Sequence, residues 1–197
     1  PDFEMLDGEE PGQLWSNGTN PSDPGVKLQT AIGQRDVRMS PLQAANMVVT
    51  LLNGGRGQKV RAVQSIRLAT GRRLVDFPAQ PLAASQTSLS SRTASTLLSW
   101  MEDVVQVGTG ASLQGTTWKV AGKSGTAQLG ATGEDGVNNW FVGFGPVEAP
   151  RYAVAVVSLH QPAASLQAIR LFRLTMELLA EAESTQEEQL GQAALQQ

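Results

Sequence analysis

Val120-Ala121-Gly122-Lys123-Ser124-Gly125-Thr126-Ala127-Gln128 is the stretch from which the rest of the chain is best read. Trp118 and Val120 lead into it with residues that favour strands. Alternation along a strand puts Lys123 and Gly125 on one face and Ser124 and Thr126 on the other. A cation and two hydroxyls therefore emerge within four residues. Gly125 removes a side chain where another backbone can approach closely. Such a strand edge suits an extended peptide: Lys⁺ and the hydroxyls would hold its carboxylate, and a backbone N–H would face a developing oxyanion. Four residues of this kind also recur by chance as a plain surface strand, so the flanks decide.

Upstream stands Gly108-Thr109-Gly110, and downstream Asn139-Trp140-Phe141-Val142-Gly143-Phe144. With these flanks the run resembles the Lys-Thr/Ser-Gly-Thr region of penicillin-binding transpeptidases. The resemblance extends to Ile32-Gly33-Gln34 and Ser40-Pro41-Leu42-Gln43-Ala44-Ala45-Asn46. It covers the chain from about Asp2, where Asp2 to Glu9 looks like a worn form of a family segment, to a helix ending near Ala182. It departs at Arg35, since the family commonly has Gly after the Gln equivalent to Gln34.

The resemblance implies an α+β fold, an antiparallel sheet covered by helices, as part of the serine β-lactamase-like transpeptidase fold. It implies a bacterial D,D-transpeptidase that cross-links peptidoglycan stem peptides by serine acyl transfer and binds penicillin. The Gln34 and Pro41-Leu42-Gln43 segments and the Trp140 to Phe144 strand favour the class B type. A β-lactamase, a D,D-carboxypeptidase and a non-catalytic β-lactam sensor or scaffold are the alternatives within the fold. Carried over residue by residue, Lys123 and Thr126 have catalytic roles, Lys123 through its positive potential and Thr126 through its backbone N–H. Ser124, Gly125, Thr126 and Gln128 contact substrate. Core packing is the expected role of Trp140 and Phe141. The partners implied are stem peptide, β-lactams and the N-terminal half of the domain, with no cofactor and no metal. Self-association through an exposed sheet is a further possibility. The implied location is the extracytoplasmic face of the bacterial membrane, anchored by a segment outside this chain.

The family's other two motifs are missing. No serine is followed three residues later by lysine, and Ser16-Asn17-Gly18 has the wrong spacing for Ser-x-Asn. Both motifs precede the matched region in the family. The expectation is that residues 1–182 form the C-terminal part of a transpeptidase domain, inactive alone, and that 183–197 form a disordered polar tail.

Composition is that of a globular chain rather than a disordered one. Of 197 residues, 41% are hydrophobic and 17% charged, with net charge −3, which gives no argument for nucleic-acid binding. The absence of cysteine excludes disulfides and thiolate chemistry. The single histidine, His160, leaves no His cluster for a metal, and its place at a strand end suits a structural or solvent role.

Along the chain, Pro1 to Pro24 is dense in turn residues. Ser40, Pro41 and Gln43 announce a helix with a capping box, ended by Asn53-Gly54-Gly55. Lys59 to Phe77 reads as a hairpin turning near Thr70-Gly71. Ser88 to Ser91 offers a cap for a helix through about Val105 with Leu97, Leu98, Met101, Val104 and Val105 inward. After the Lys123 strand, Trp140 to Gly145 and Tyr152 to Leu159 complete a three-stranded meander. The last strand is apolar on both parities and so is expected to be buried on both faces. A helix from about Pro162 to Ala182 carries Leu166, Ile169, Phe172, Leu174, Leu178 and Leu179, with Arg173 and Glu177 paired at i, i+4.

Overall fold

A computed structural model describes residues 11–83, 89–130, 135–162 and 164–195. The expected family segment at Asp2 to Glu9 lies outside them. The chain forms two compact units, Pro1–Leu97 and Leu98–Gln197.

In the first unit, α1 (Pro24–Ala31) begins where the sequence reading expects only a turn. Asp23 caps it, accepting from the N–H groups of Gly25 and Val26, and Pro24 takes the first position, where no N–H is needed. The turn signal Asp-Pro was a helix start. The next helix, α2 (Pro41–Leu52), has the expected capping box: Ser40 Oγ accepts from Gln43 N–H at 3.2 Å and Gln43 Oε1 from Ser40 N–H at 2.9 Å. Its buried residues are Ala44 and Val48. At its exit Gly55 has φ +88, and a Cβ there would stand 2.2 Å from the carbonyl oxygen of Leu89. Only glycine fits. Strands β1 (Ser65–Arg67) and β2 (Arg73–Asp76) form the expected hairpin around Gly71, φ +81. Helix α3 (Ser91–Gln106) straddles the division between the units, and Ser90 Oγ accepts from the N–H of Thr93 at its start.

The second unit is an antiparallel sheet of β3 (Ala121–Gln128), β4 (Val137–Gly145) and β5 (Tyr152–Gln161), in that order, with α4 (Gln167–Leu195) on one face. Gly122 pairs with Gly143 in register. A Cβ on Gly122 would lie 2.5 Å from the Phe141 ring, and one on Gly143 would lie 2.3 Å from the carbonyl oxygen of Ala121. These two absent side chains let the Phe141 ring lie across β3 and meet Phe172 of α4, centroids 4.7 Å apart. Val105, Leu113, Val120, Ile169 and Met176 close the core around that pair. Among the described residues, no helix is long and apolar enough to cross a membrane.

Packing and partners in this unit correct several expectations. The buried side of α4 is Ala168, Ile169, Phe172, Met176 and Ala180, steps of one, three, four and four. Leu166 precedes the helix, Leu174 and Leu178 fall on another side of it, and all three are half or more exposed. Arg173 and Glu177 do not pair with each other: Arg173 donates to Ser112 O at 2.8 Å, and Glu177 accepts from the N–H and hydroxyl of Thr117. The loop before β3 offers both side chains better-placed partners than a solvent-exposed ion pair. Helix α4 continues past Ala182 to Leu195. Tyr152 O–H donates to Glu183 Oε1 at 2.6 Å, Arg151 is ion-paired with Glu183, and good helix formers (Glu, Gln, Leu, Ala) outnumber Ser184, Thr185 and Gly191 in the continuation. Strand β5 also differs from its reading: from Tyr152 to Ser158 it is half-buried, and Leu159 is exposed.

Candidate functional site

The expected site residues all lie on β3, which is an outer strand of its sheet. Register assigns their faces. Ser124 stands opposite Phe141 and Thr126 opposite Asn139, so both share the face that carries α4. Lys123 opposite Val142 and Gly125 opposite Trp140 share the other face. Lys123, Thr126 and Gln128 are exposed, whereas Ser124 and Gly125 are half-buried. At Gly125 the close neighbour is Trp140: a Cβ would stand 3.3 Å from the Trp140 Cβ. A bulkier residue there would press on β4 before it pressed on a ligand.

Lys123 Nζ donates to the carbonyl oxygen of Ser124 at 2.5 Å, folding the ammonium back along its own strand. Ser124 Oγ lies 2.8 Å from the hydroxyl of Thr109, fifteen residues earlier in the loop that ends α3. That partner was missed in the sequence; the signal was the small polar residue between two glycines at Gly108-Thr109-Gly110. The arrangement can hold an anion, with one cation and hydroxyl donors close together at a strand edge. No serine of the chain is followed three residues later by lysine, so the site as described is the anion-holding part of such a constellation.

Trp140 is half-buried and Phe141 fully buried, so the core role expected of Phe141 is the one it has. His160 is exposed, with φ +51, where β5 has one more residue than β4 between the Val137–Gln161 and Asn139–Ser158 pairs. Its N–H donates to Asn138 Oδ1 at 3.3 Å, so it serves a bulge. A cavity of about 440 Å³ lies near the other end of β3, lined by Glu102, Val105, Gln114, Lys119, Val120 and Val147; the expected site residues do not line it. Among the described residues, no group of three or more His, Asp or Glu is placed to hold a metal ion.

The family model of the penicillin binding protein transpeptidase domain matches residues 3–177. Among curated proteins, the chain is 30% identical over 153 residues to the peptidoglycan D,D-transpeptidase PbpA of Mycolicibacterium smegmatis, covering 75% of this chain and 30% of that protein. It is 31% identical over 145 residues to penicillin-binding protein 2A of Bacillus subtilis, covering 68% of this chain and 20% of that one. The chain thus spans well under half the length of these relatives. Among solved structures, it matches the D,D-transpeptidase domain of a peptidoglycan glycosyltransferase from Eggerthella lenta with TM-score 0.60 and 26% identity, over 83% of this chain and 36% of that one. Penicillin-binding protein A of M. tuberculosis, solved as an imipenem acyl-enzyme complex, matches with TM-score 0.65 and 24% identity, over 81% of this chain and 35% of that one, a likeness of fold.

Proposed function

Since this chain belongs to the penicillin-binding protein transpeptidase family, we propose that it is the C-terminal part of a peptidoglycan D,D-transpeptidase that cross-links stem peptides by serine acyl transfer and binds penicillin. The observation that carries this reading is Lys123-Ser124-Gly125-Thr126 on an outer strand, with the ammonium and a pair of hydroxyls at its edge.

In the proposed mechanism the nucleophilic serine and its amine partner come from the part of the domain outside this chain. The serine oxygen adds to a peptide carbonyl and gives up its proton. The amide bond breaks, the amine leaves protonated, and a serine ester remains. An acceptor amine then displaces the serine and restores its hydroxyl. The strand β3 contributes at two points. Ser124 and Thr126 hold the carboxylate of the peptide or β-lactam, with Lys123 supplying positive potential between that anion and the serine. The N–H of Thr126 faces the oxygen that becomes negative as the tetrahedral intermediate forms, where a preorganised donor acts most strongly. Gly125 keeps the strand surface low, and Gln128 contacts the peptide further along. The full protein works on the extracytoplasmic side of the bacterial membrane, held there by a segment outside this chain.

The test is acylation of the full-length protein by a fluorescent penicillin. Lys123→Ala is expected to slow acylation about a hundredfold, the usual scale for removing one electrostatic contributor to such a transition state. The melting temperature should barely move, since Lys123 is exposed and its hydrogen bond is to its own strand. Acylation at the wild-type rate would leave Lys123 as a surface cation and remove the main support for the reading.

A further inference from the structure

Two hydroxyls from separate parts of the second unit meet at 2.8 Å, those of Thr109 and Ser124. Thr109 is exposed, yet its position is fixed from both sides. A Cβ on Gly108 would stand 3.0 Å from Val104 Cα, and one on Gly110 would stand 3.1 Å from Val104 O. Gly110 N–H donates to Val104 O at 2.9 Å, and Ala111 N–H to Gly108 O at 3.1 Å. The loop is wedged onto the last turn of α3, and Gly110 is buried. Thr109 is therefore presented to β3 by backbone packing rather than by its own side chain.

A hydroxyl carries one proton and accepts through two lone pairs. With no anion present, either of the two can donate to the other. A carboxylate at Ser124 removes that freedom. Ser124 must then aim its proton at the anion, and its Oγ is left to accept. Thr109 is within reach to donate. The bonds then run in one direction, from Thr109 O–H to Ser124 Oγ and from Ser124 O–H to the carboxylate. Each bond polarises the next, and the last is charge-assisted.

We infer that Thr109 is a positioning residue for substrate carboxylate recognition, acting by fixing the direction of the Ser124 O–H. This deepens the transpeptidase reading and rests on it. The readout is the ratio of acylation rates for a penicillin with a free carboxylate and for its methyl ester, measured on the full-length protein. A purely structural role for Thr109 would slow both alike and leave the ratio in place. Thr109→Val, isosteric and without a donor, should lower the ratio about fivefold to tenfold, the scale of one neutral hydrogen bond polarised by the charge-assisted bond beyond it. Thr109→Ala, free of β-branching, should do the same if the Val variant folds poorly. Thr109→Ser keeps the hydroxyl and should keep the ratio. Ser124→Ala should lower it at least as far. If the Ser124→Ala ratio falls while those of Thr109→Val and Thr109→Ala stay at wild type, Thr109 has no such role and the reading of Ser124 survives. If the Ser124→Ala ratio does not fall, carboxylate recognition is not at Ser124, and both ideas go. A Thr109→Ser ratio as low as that of Thr109→Val would also overturn the inference.

Discussion

At Arg35 the departure from the family pattern falls on a left-handed backbone angle, one that glycine takes more readily. The family commonly has glycine at this place, and here arginine takes φ +65, a left-handed conformation that costs a side chain about 1–2 kcal/mol. The carboxylate of the neighbouring Asp36 is hydrogen-bonded and ion-paired locally. Its Oδ2 accepts from Thr19 O–H at 2.7 Å, and the Arg35 guanidinium lies 3.6 Å away. Thr19's hydroxyl, before any other group, holds the Asp36 carboxyl below its ordinary value of 3.8; partial burial opposes the shift, and Ser16 and Arg35 add to it. The sign follows from linkage: a carboxyl that ionises more readily folded than unfolded stabilises the fold above its unfolded value, and that contribution is lost as pH falls through the lowered folded value. Thr19→Val is expected to move the Asp36 titration, followed by its carboxyl carbon shift in NMR, back up toward 3.8. The acid unfolding of the variant should begin at higher pH. An unmoved titration would mean that Thr19 is not the group that holds Asp36.

At the scale of elements, what the sequence disclosed depended on how local the deciding signal was. The capping box at Ser40, the turn at Gly71 and the order of the three strands were all legible, because each rests on residues a few positions apart. The face of α4 was not. Leucine occurs on two sides of that helix, and the side that packs is chosen by where the Phe141 ring crosses Gly122 to meet Phe172. Nothing within α4 encodes that crossing. The same holds for the site: β3 and its residues could be read directly, whereas the Thr109 partner depends on how a loop fifteen residues away folds back. The helical continuation past Ala182 is also a long-range effect. Trp118 stacks on Tyr152 at 5.7 Å with Arg151 over the Trp118 ring at 5.3 Å, and this cluster presents the Tyr152 hydroxyl to Glu183. The bond to Glu183 is the main reason the Tyr152 phenol is pushed above its ordinary value, with burial adding to it. Tyr152→Phe keeps the stack and removes the bond. Global stability should fall by about 1 kcal/mol, and the amides of α4 beyond Glu183 should lose most of their hydrogen-exchange protection. Protection that persists there would show that the Tyr152 bond is dispensable and that the Arg151–Glu183 ion pair and the helix's own propensity hold its end.

For the whole molecule, the question is what β5 and the outer side of α4 face. In the sheet β5 pairs with β4 alone, so one edge of a ten-residue strand is left without a strand partner among the described residues. On the face away from α4, register groups Trp140, Val142, Ala155 and Val157, apolar and only half-buried. Across α4, Leu174 and Leu178 are each 55% exposed. A long strand edge beside apolar surface invites pairing with another chain. In the proposed transpeptidase that surface belongs to the remainder of the domain. Expressed alone, the chain is expected to associate with itself in a concentration-dependent way, seen as a rising mass in light scattering. Val157→Lys, which places a charge on the half-buried face of β5, should lower the associated fraction without unfolding the second unit. Because no Ser-x-x-Lys is present, incubation with a β-lactam should add no mass to the chain on intact-mass measurement. The two measurements separate two ideas. A monomer at all concentrations would mean that the second unit needs no neighbour along β5. A stoichiometric serine adduct would mean that the chain carries its own nucleophile and that the division of the site between this chain and the rest of the domain is wrong.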